Sequence, residues 1–328
     1  MRRLQKTAEI AQDVNRFLER MLPVTTPLGV ILGLFLPSVF IHLRPFVPWL
    51  FGIMTFSGAL KLRAAELGAA VRSPAPILLF FAVAHILMPF VAMLASSLFY
   101  VNQDIVAGFV LLFSGPTAVS GFIWVTILKG DMALCLTLIL LDTLFAPFVV
   151  PGTVSVLMGA KTTMDSSGIA ISLLFMVVIP TFIGVAINEA SKKKIPSLIC
   201  PYLDPVSKIC LILVIAANAS PVADYIKLDD PHVWYMAALC IALTITAFLL
   251  AKFSAVIGKY RAPKDVTMIL CGGLRNNSAV MTIAVTFFPE AAAMPVLLSI
   301  MFQQTIAAVM GKFLVRRNKK LLSAELAS

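Results

Sequence analysis

The sequence predicts an all-α polytopic membrane protein of ten transmembrane helices, built as two inverted five-helix repeats. Three observations lead there. Of 328 residues, 60% are hydrophobic and only 13% charged, with a mean hydropathy of +0.96; a soluble domain carries about 25% charged residues. The apolar runs reach helix length, unlike the alternating strands of roughly ten residues in an outer-membrane barrel. The fourth run of each half is interrupted at glycine, a pairing that points to a transporter binding site.

Residues 1–21 read as an amphipathic interfacial helix. Ile10, Val14, Phe17, Leu18 and Met21 share one face, opposite Arg2, Lys6, Asp13 and Arg20, as in helices that lie along a leaflet and contact membrane lipid. This segment lacks the apolar centre of a cleavable signal peptide.

Ten spans follow, at 24–42, 46–61, 75–99, 104–128, 132–157, 168–188, 205–226, 232–257, 265–288 and 291–314. The first carries Pro27 and Pro37. The fourth is broken at Ser114-Gly115-Pro116-Thr117, the ninth at Gly272-Gly273. An even count places both termini on one side. On that side fall Arg2, Arg3, Lys6, Arg16 and Arg20, then Lys61, Arg63, Arg72 and Lys129. Lys192, Lys193, Lys194, Lys208, Lys252, Lys259, Arg261 and Lys264 follow, and Lys312, Arg316, Arg317, Lys319 and Lys320 close the chain. The other side holds Arg44, Lys161 and Lys227. The asymmetry predicts cytoplasmic termini in a bacterial inner membrane. It also explains the net charge of +10 without nucleic acid. Residues 22–160 form the first repeat, 161–315 the second, and 316–328 a cytoplasmic tail. Five spans is an odd number, so the repeats have opposite orientations.

Arg275 belongs to neither side. It follows Cys271-Gly272-Gly273-Leu274 and precedes Asn276-Asn277-Ser278, at bilayer depth. An arginine there costs roughly 2.5–3.5 kcal/mol on insertion scales, and a broken helix is tolerated only where it lines a protein cavity. A binding site is the expectation. The five cysteines form no Cys-x-x-Cys pair, and His42, His85 and His232 are scattered. No disulfide framework, metal centre or cofactor is expected. No nucleophile–base pair suggests an enzyme.

At the two breaks the sequence resembles the bile acid:sodium symporter family. The stretches that carry the resemblance are Gly115-Pro116-Thr117-Ala118, Lys129-Gly130-Asp131-Met132-Ala133-Leu134 and Thr143-Leu144-Phe145-Ala146-Pro147. The second half adds Gly273-Leu274-Arg275-Asn276-Asn277-Ser278 and Gln303-Gln304. The resemblance implies a panel of spans 1, 2, 6 and 7 and a core of spans 3–5 and 8–10. It implies that broken helices 4 and 9 cross near the midplane beside a cavity for organic anions, whose half-helix N-termini favour carboxylate. Thr117, Asn276, Asn277 and Gln304 are the substrate-binding candidates. Asn277 and Gln304 have helix capping as an alternative role. Trp49 and Trp234 read as interface aromatics, and Trp124 either lines the cavity or packs.

The chain departs from the family at the ion sites. Aligned on these motifs, the family's Ser-Asn pair falls on Gly121 and Phe122. Its Ser and Thr of the fifth span fall on Cys135 and Ile139, and its Glu on Cys271. The Gln of the ninth span is Arg275 and that of the third is His85. Sodium needs several oxygen ligands, which thiols, Phe and Ile lack, so neither sodium site is expected to survive. Arg275 is expected to be a tethered cation in the vacated space, held by an anion or by broken-helix carbonyls. Asp142 is its first candidate partner, since Cys135, Ile139 and Asp142 share one helix face. A static Asp142–Arg275 pair is the plainer reading. His85 offers proton linkage, or a neutral imidazole bonded to a carbonyl.

The function expected is secondary transport of an organic anion, bile-acid-like or a small carboxylate, by alternating access, facilitative or proton-linked. Two alternatives stand: an arsenite-type efflux protein using Cys135 and Cys271, and a non-transporting sensor on the same scaffold.

Overall fold

The computed structural model describes residues 2–62, 74–159, 165–226 and 229–325. Arg63, Arg72, Lys161 and Lys227 of the charge pattern lie outside the described residues, as do the last three residues of the tail. The described residues are helical throughout apart from turns and short connections, and contain one isolated antiparallel bridge.

The chain opens with α1 (Arg2–Arg20) and α2 (Leu22–Phe35), which meet at 77°. Ile10, Val14 and Phe17 of α1 are exposed, as a lipid-facing stripe requires. The first predicted span stops early. Leu36 leaves helical geometry before Pro37, because a residue preceding proline disfavours the α region. Residues Pro37–Ala59 then run on as α3. Next come α4 (Pro74–Phe99), the broken pair α5 (Gln103–Ser114) and α6 (Gly121–Ile127), and α7 (Met132–Met158). The second half holds α8 (Ser166–Ala190), α9 (Lys194–Tyr225) and α10 (Pro231–Ile257). It ends with the broken pair α11 (Lys264–Gly273) and α12 (Asn277–Phe287), then α13 (Glu290–Glu325). The predicted seventh span is extended at its start, since Pro201 and Pro205 sit inside α9 without ending it. The predicted tail continues α13 as far as Glu325.

Seven of these helices are long and apolar enough to cross a membrane: α3, α4, α7, α8, α9, α10 and α13 over Glu290–Gly311. They pack in two groups. Helices α2, α3, α8 and α9 contact one another, with α1 lying on α9. Helices α4, α5, α7, α10, α11, α12 and α13 form the second group, in which α10 packs on α11 and α5 on both α4 and α13. Gly108 permits that last approach: a Cβ there would run into the backbone of Ala292.

Two local devices aim residues at the centre. Pro89 cannot donate to the carbonyl of His85, and α4 widens to a π turn over Ala82–Leu87, a form that often marks functional sites. In the Lys129-Gly130-Asp131 turn, Asp131 caps α7 through Leu134 N at 3.0 Å. Its backbone is tied to α11 by Asp131 N to Pro263 O at 3.1 Å and Thr267 Oγ1 to Asp131 O at 2.9 Å.

Candidate functional site

The two breaks meet. Asn276 N donates to Pro116 O at 2.7 Å and Ala118 N to Leu274 O at 3.2 Å, with Thr117 opposite Arg275 in an antiparallel bridge. Each break thus supplies the hydrogen bonds that the other lost by leaving the helix. The ninth-span break falls at Leu274, Arg275 and Asn276, just after the predicted Gly272-Gly273, which stay in the last turn of α11. The glycines serve close packing. A Cβ on Gly273 would enter the Phe248 ring, and one on Gly115 would strike Val280.

Arg275 is 1% exposed. Its Nη1 donates to Gly115 O at 3.4 Å, and its Nη2 to Gly272 O at 3.1 Å and Ala84 O at 3.4 Å. Gly115 and Gly272 stand at the C-terminal ends of α5 and α11, where the helix dipole favours a cation. Gln303 clamps the arginine backbone: Arg275 N donates to Oε1 at 3.2 Å, and Nε2 donates to Arg275 O at 2.8 Å.

The expected direct Asp142–Arg275 pair does not form. Asp142 is wholly buried and is committed elsewhere. Its Oδ2 accepts from Thr117 N at 2.7 Å and Thr117 Oγ1 at 2.8 Å, and its Oδ1 lies 2.8 Å from His85 Nε2. The backbone carbonyls hold the guanidinium, and the Thr117 donors hold the carboxylate, with the imidazole beside it. The reading of His85 as bonded to a carbonyl is likewise replaced by this carboxylate contact.

The positions aligned with the family's sodium ligands lie close to the crossing. Cys135 and Cys271 are fully buried with their sulfurs 3.6 Å apart. Ile139 and Gly121 are buried, and Phe122 is half-buried. The three carbonyls bonded to Arg275 already face guanidinium N–H groups. No cluster of metal-ligating side chains occurs among the described residues.

A cavity of about 530 Å³ lies between the two helix groups. At one end it is walled by the crossing residues Ala118, Ser120, Asn276, Asn277 and Ser278 with Gln304 of α13. At the other it reaches the basic residues Arg16 and Arg20 of α1, Lys61, and Lys208 of α9. The carboxylates on its wall are Glu19 and Asp204. Lys61 Nζ lies 2.7 Å from Asp204 Oδ2, Ser57 Oγ donates to Asp204 Oδ1 at 3.0 Å, and Lys208 Nζ lies 3.6 Å from Glu19 Oε1.

Of the substrate-binding candidates, Asn276, Asn277 and Gln304 reach this cavity. Thr117 does not: it is 1% exposed and bonded to Asp142. Gln304 accepts from Trp124 Nε1 at 3.0 Å and donates to Ser120 Oγ at 3.3 Å, so it braces the wall rather than capping a helix. The cap of α12 is Asn276, whose Oδ1 accepts from Ala279 N at 3.3 Å. Asn277 donates to Ser299 Oγ at 2.9 Å, and its Oδ1 is left without a protein partner. Sequence reasoning overlooked Gln303 and the Lys61–Asp204–Lys208–Glu19 group. Gln303 was visible as the neighbour of Gln304. The group joins residues far apart in the chain and carries no local signal.

A profile described as the Sodium Bile acid symporter family matches residues 47–228. The chain is 36% identical over 296 residues to the uncharacterized protein YbaS of Bacillus subtilis (strain 168), covering 90% of this chain and 97% of that one. It is 25% identical over 310 residues to the probable sodium/metabolite cotransporter BASS3, chloroplastic, of Oryza sativa subsp. japonica, covering 92% and 72%. It is 20% identical over 312 residues to the uncharacterized sodium-dependent transporter YocS of Bacillus subtilis (strain 168), covering 95% and 96%.

Proposed function

The chain belongs to the sodium bile acid symporter family, a family of transporters and not of enzymes, and from that premise we propose that it carries an organic anion by alternating access without a sodium ion. The observation that carries this reading is the cavity wall. Four cations (Arg16, Arg20, Lys61 and Lys208) face it against two carboxylates, and such a surplus concentrates anions. Its apolar residues, among them Phe51, Met54 and Ile215, suit the hydrocarbon part of a bile-acid-like or smaller carboxylate. Asn276, Asn277 and Gln304 would bind its polar groups.

In this reading α2 and the two broken pairs complete the seven long helices to ten spans, in repeats over 22–160 and 161–315. Residues 1–21 are the interfacial helix and 316–328 the tail. The panel is α2, α3, α8 and α9, and the remaining spans are the core that moves against it. Both termini are cytoplasmic, in a bacterial inner membrane, and the cavity opens toward the basic cytoplasmic side. The names of two relatives speak of sodium. Cys135, Ile139 and Cys271 argue against it here, and Arg275 supplies a permanent positive charge in its place. The metalloid-efflux alternative loses ground because neither Cys135 nor Cys271 lines the cavity.

The test is uptake of radiolabelled pyruvate, 2-oxoacids and taurocholate into proteoliposomes, with sodium or choline as the external cation. At least one anion is transported equally in both. Uptake that stops in choline overturns the sodium-independent reading, and no uptake of any anion leaves the sensor alternative standing.

A further inference from the structure

His85 occupies the π turn of α4 and is 4% exposed. Its Nε2 lies 2.8 Å from Asp142 Oδ1, within ion-pair distance but not aligned as a hydrogen bond, and Nδ1 makes no hydrogen bond to the described residues. The rings of Phe80 and Phe81 stand 6.2 and 5.3 Å away. The other oxygen of Asp142 holds Thr117, whose neighbour Ala118 lines the cavity and whose bridge partner is Arg275. A change of charge on the pair is therefore felt at the crossing through one residue.

The surrounding charges define what a proton would do. Arg275 and the thiols Cys135 and Cys271 are the other ionisable groups around the pair. Helix α4 has no ionisable side chain besides His85, and α5 has only Asp104, near its far end. Helix α10 carries His232, Tyr235, Cys240 and Lys252; Cys240 bonds to Pro295 O and Lys252 lies 3.9 Å from Asp265. With a neutral imidazole, Asp142 and Arg275 cancel. With imidazolium, one positive charge is added, the same as one monovalent coupling ion would bring.

Resting on the transporter reading above, we propose that His85 and Asp142 form a proton-binding site that takes over coupling from sodium. A proton from hydronium adds to the imidazole's free lone pair, water is left behind, and the imidazolium stands beside the Asp142 carboxylate. Release reverses the step. The imidazolium draws the carboxylate's charge away from Thr117 and so changes the crossing that the substrate meets. One anion then moves with one proton.

The probe is the proton itself. The double variant His42→Gln/His232→Gln leaves His85 as the sole one of three histidines, and both removed residues are exposed. In nanodiscs, 15N-histidine NMR of this protein over a pH series from about 5 to 8 shows both the neutral and the cationic form of His85. Adding Asp142→Asn changes the proportion of the two forms. In parallel, Cys200→Ser/Val119→Cys reports on the cavity, where Val119 is exposed. Its rate of maleimide labelling changes about three-fold across that pH range and becomes flat when His85→Gln is added. A His85 signal fixed in one charge state overturns the proposal, as does pH-dependent labelling that survives His85→Gln. A Val119→Cys that never reacts from either face would instead sink the transporter reading.

Discussion

One group of charges is buried at the helix crossing and another lines the mouth of the cavity, and they obey different physics. At the crossing, Arg275, Asp142 and His85 are 1%, 0% and 4% exposed. At the mouth, Lys61 and Asp204 are joined at 2.7 Å, yet the lysine side chain is 41% exposed, and Glu19–Lys208 is a looser pair at 3.6 Å. The residue types match. The solvent does not. A buried ion loses several kcal/mol of hydration and must be repaid by every partner it has. An exposed pair gains about 0–1 kcal/mol and is screened by salt. On the proposed function, the crossing is structure and coupling machinery, whereas the mouth is an electrostatic funnel.

The largest effects fall at the crossing. Asp142→Ala removes the acceptor for two Thr117 donors and the only carboxylate near His85 and Arg275 among the described residues. It should destabilise the protein by about 3–5 kcal/mol, read as thermal unfolding in detergent. A loss below about 1 kcal/mol would place this group with the mouth. Arg275→Gln comes next. It strips the N–H groups from the carbonyls of Gly115, Gly272 and Ala84 and should lower uptake about ten-fold or more. It should not create sodium dependence, because Cys135, Ile139 and Cys271 still supply no oxygen. Sodium-stimulated uptake in this variant would show that arginine alone excludes the ion.

How far the sequence led can be judged from single residues. The helical membrane class, the two breaks and the buried Arg275 follow from hydropathy and from the physics of a charge in lipid, and the structure brings the breaks together. The partner of Arg275 did not follow. A cation in a broken helix can turn to a carboxylate or to freed carbonyls, and the choice depends on where His85 and Thr117 stand. Those come from α4 and the α5 break, far from Asp142 in sequence. Thr117 was read as a substrate ligand for a similar reason: its motif marks the crossing, but not which way its hydroxyl turns. The mouth was illegible because Glu19, Lys61, Asp204 and Lys208 meet only once α1, α3 and α9 are packed. Helix ends failed where prolines mislead. Pro37 ends α2, whereas Pro201 and Pro205 leave α9 continuous.

A change with no charge at all separates packing from electrostatics at the crossing. Gly273→Ala would push a methyl group into the Phe248 ring, between α11 and α10. Overpacking of this kind costs about 1–3 kcal/mol, seen as a lower unfolding temperature. Phe248→Leu in the same chain should recover part of it, since the obstacle is the ring. If the alanine variant unfolds as the parent does, the closeness of α10 and α11 is not what requires glycine there.

The smallest effect on stability belongs to the mouth, and it is the one that tests the contrast most directly. Lys208→Gln removes one cation from the cavity wall and releases Glu19. Stability should change by about 0–1 kcal/mol, while the KM for a transported anion rises about three-fold or more, with little change in the maximal rate. The reason is that a cation in the entrance acts on the approach and binding of the anion, and the moving parts at the crossing do not depend on it. Added salt should weaken uptake by the parent more than by Lys208→Gln, because the screened attraction is already reduced in the variant. A variant with an unchanged KM and a collapsed maximal rate would mean that Lys208 and Glu19 latch α1 onto α9 during the cycle, and the mouth would then share the machinery of the crossing.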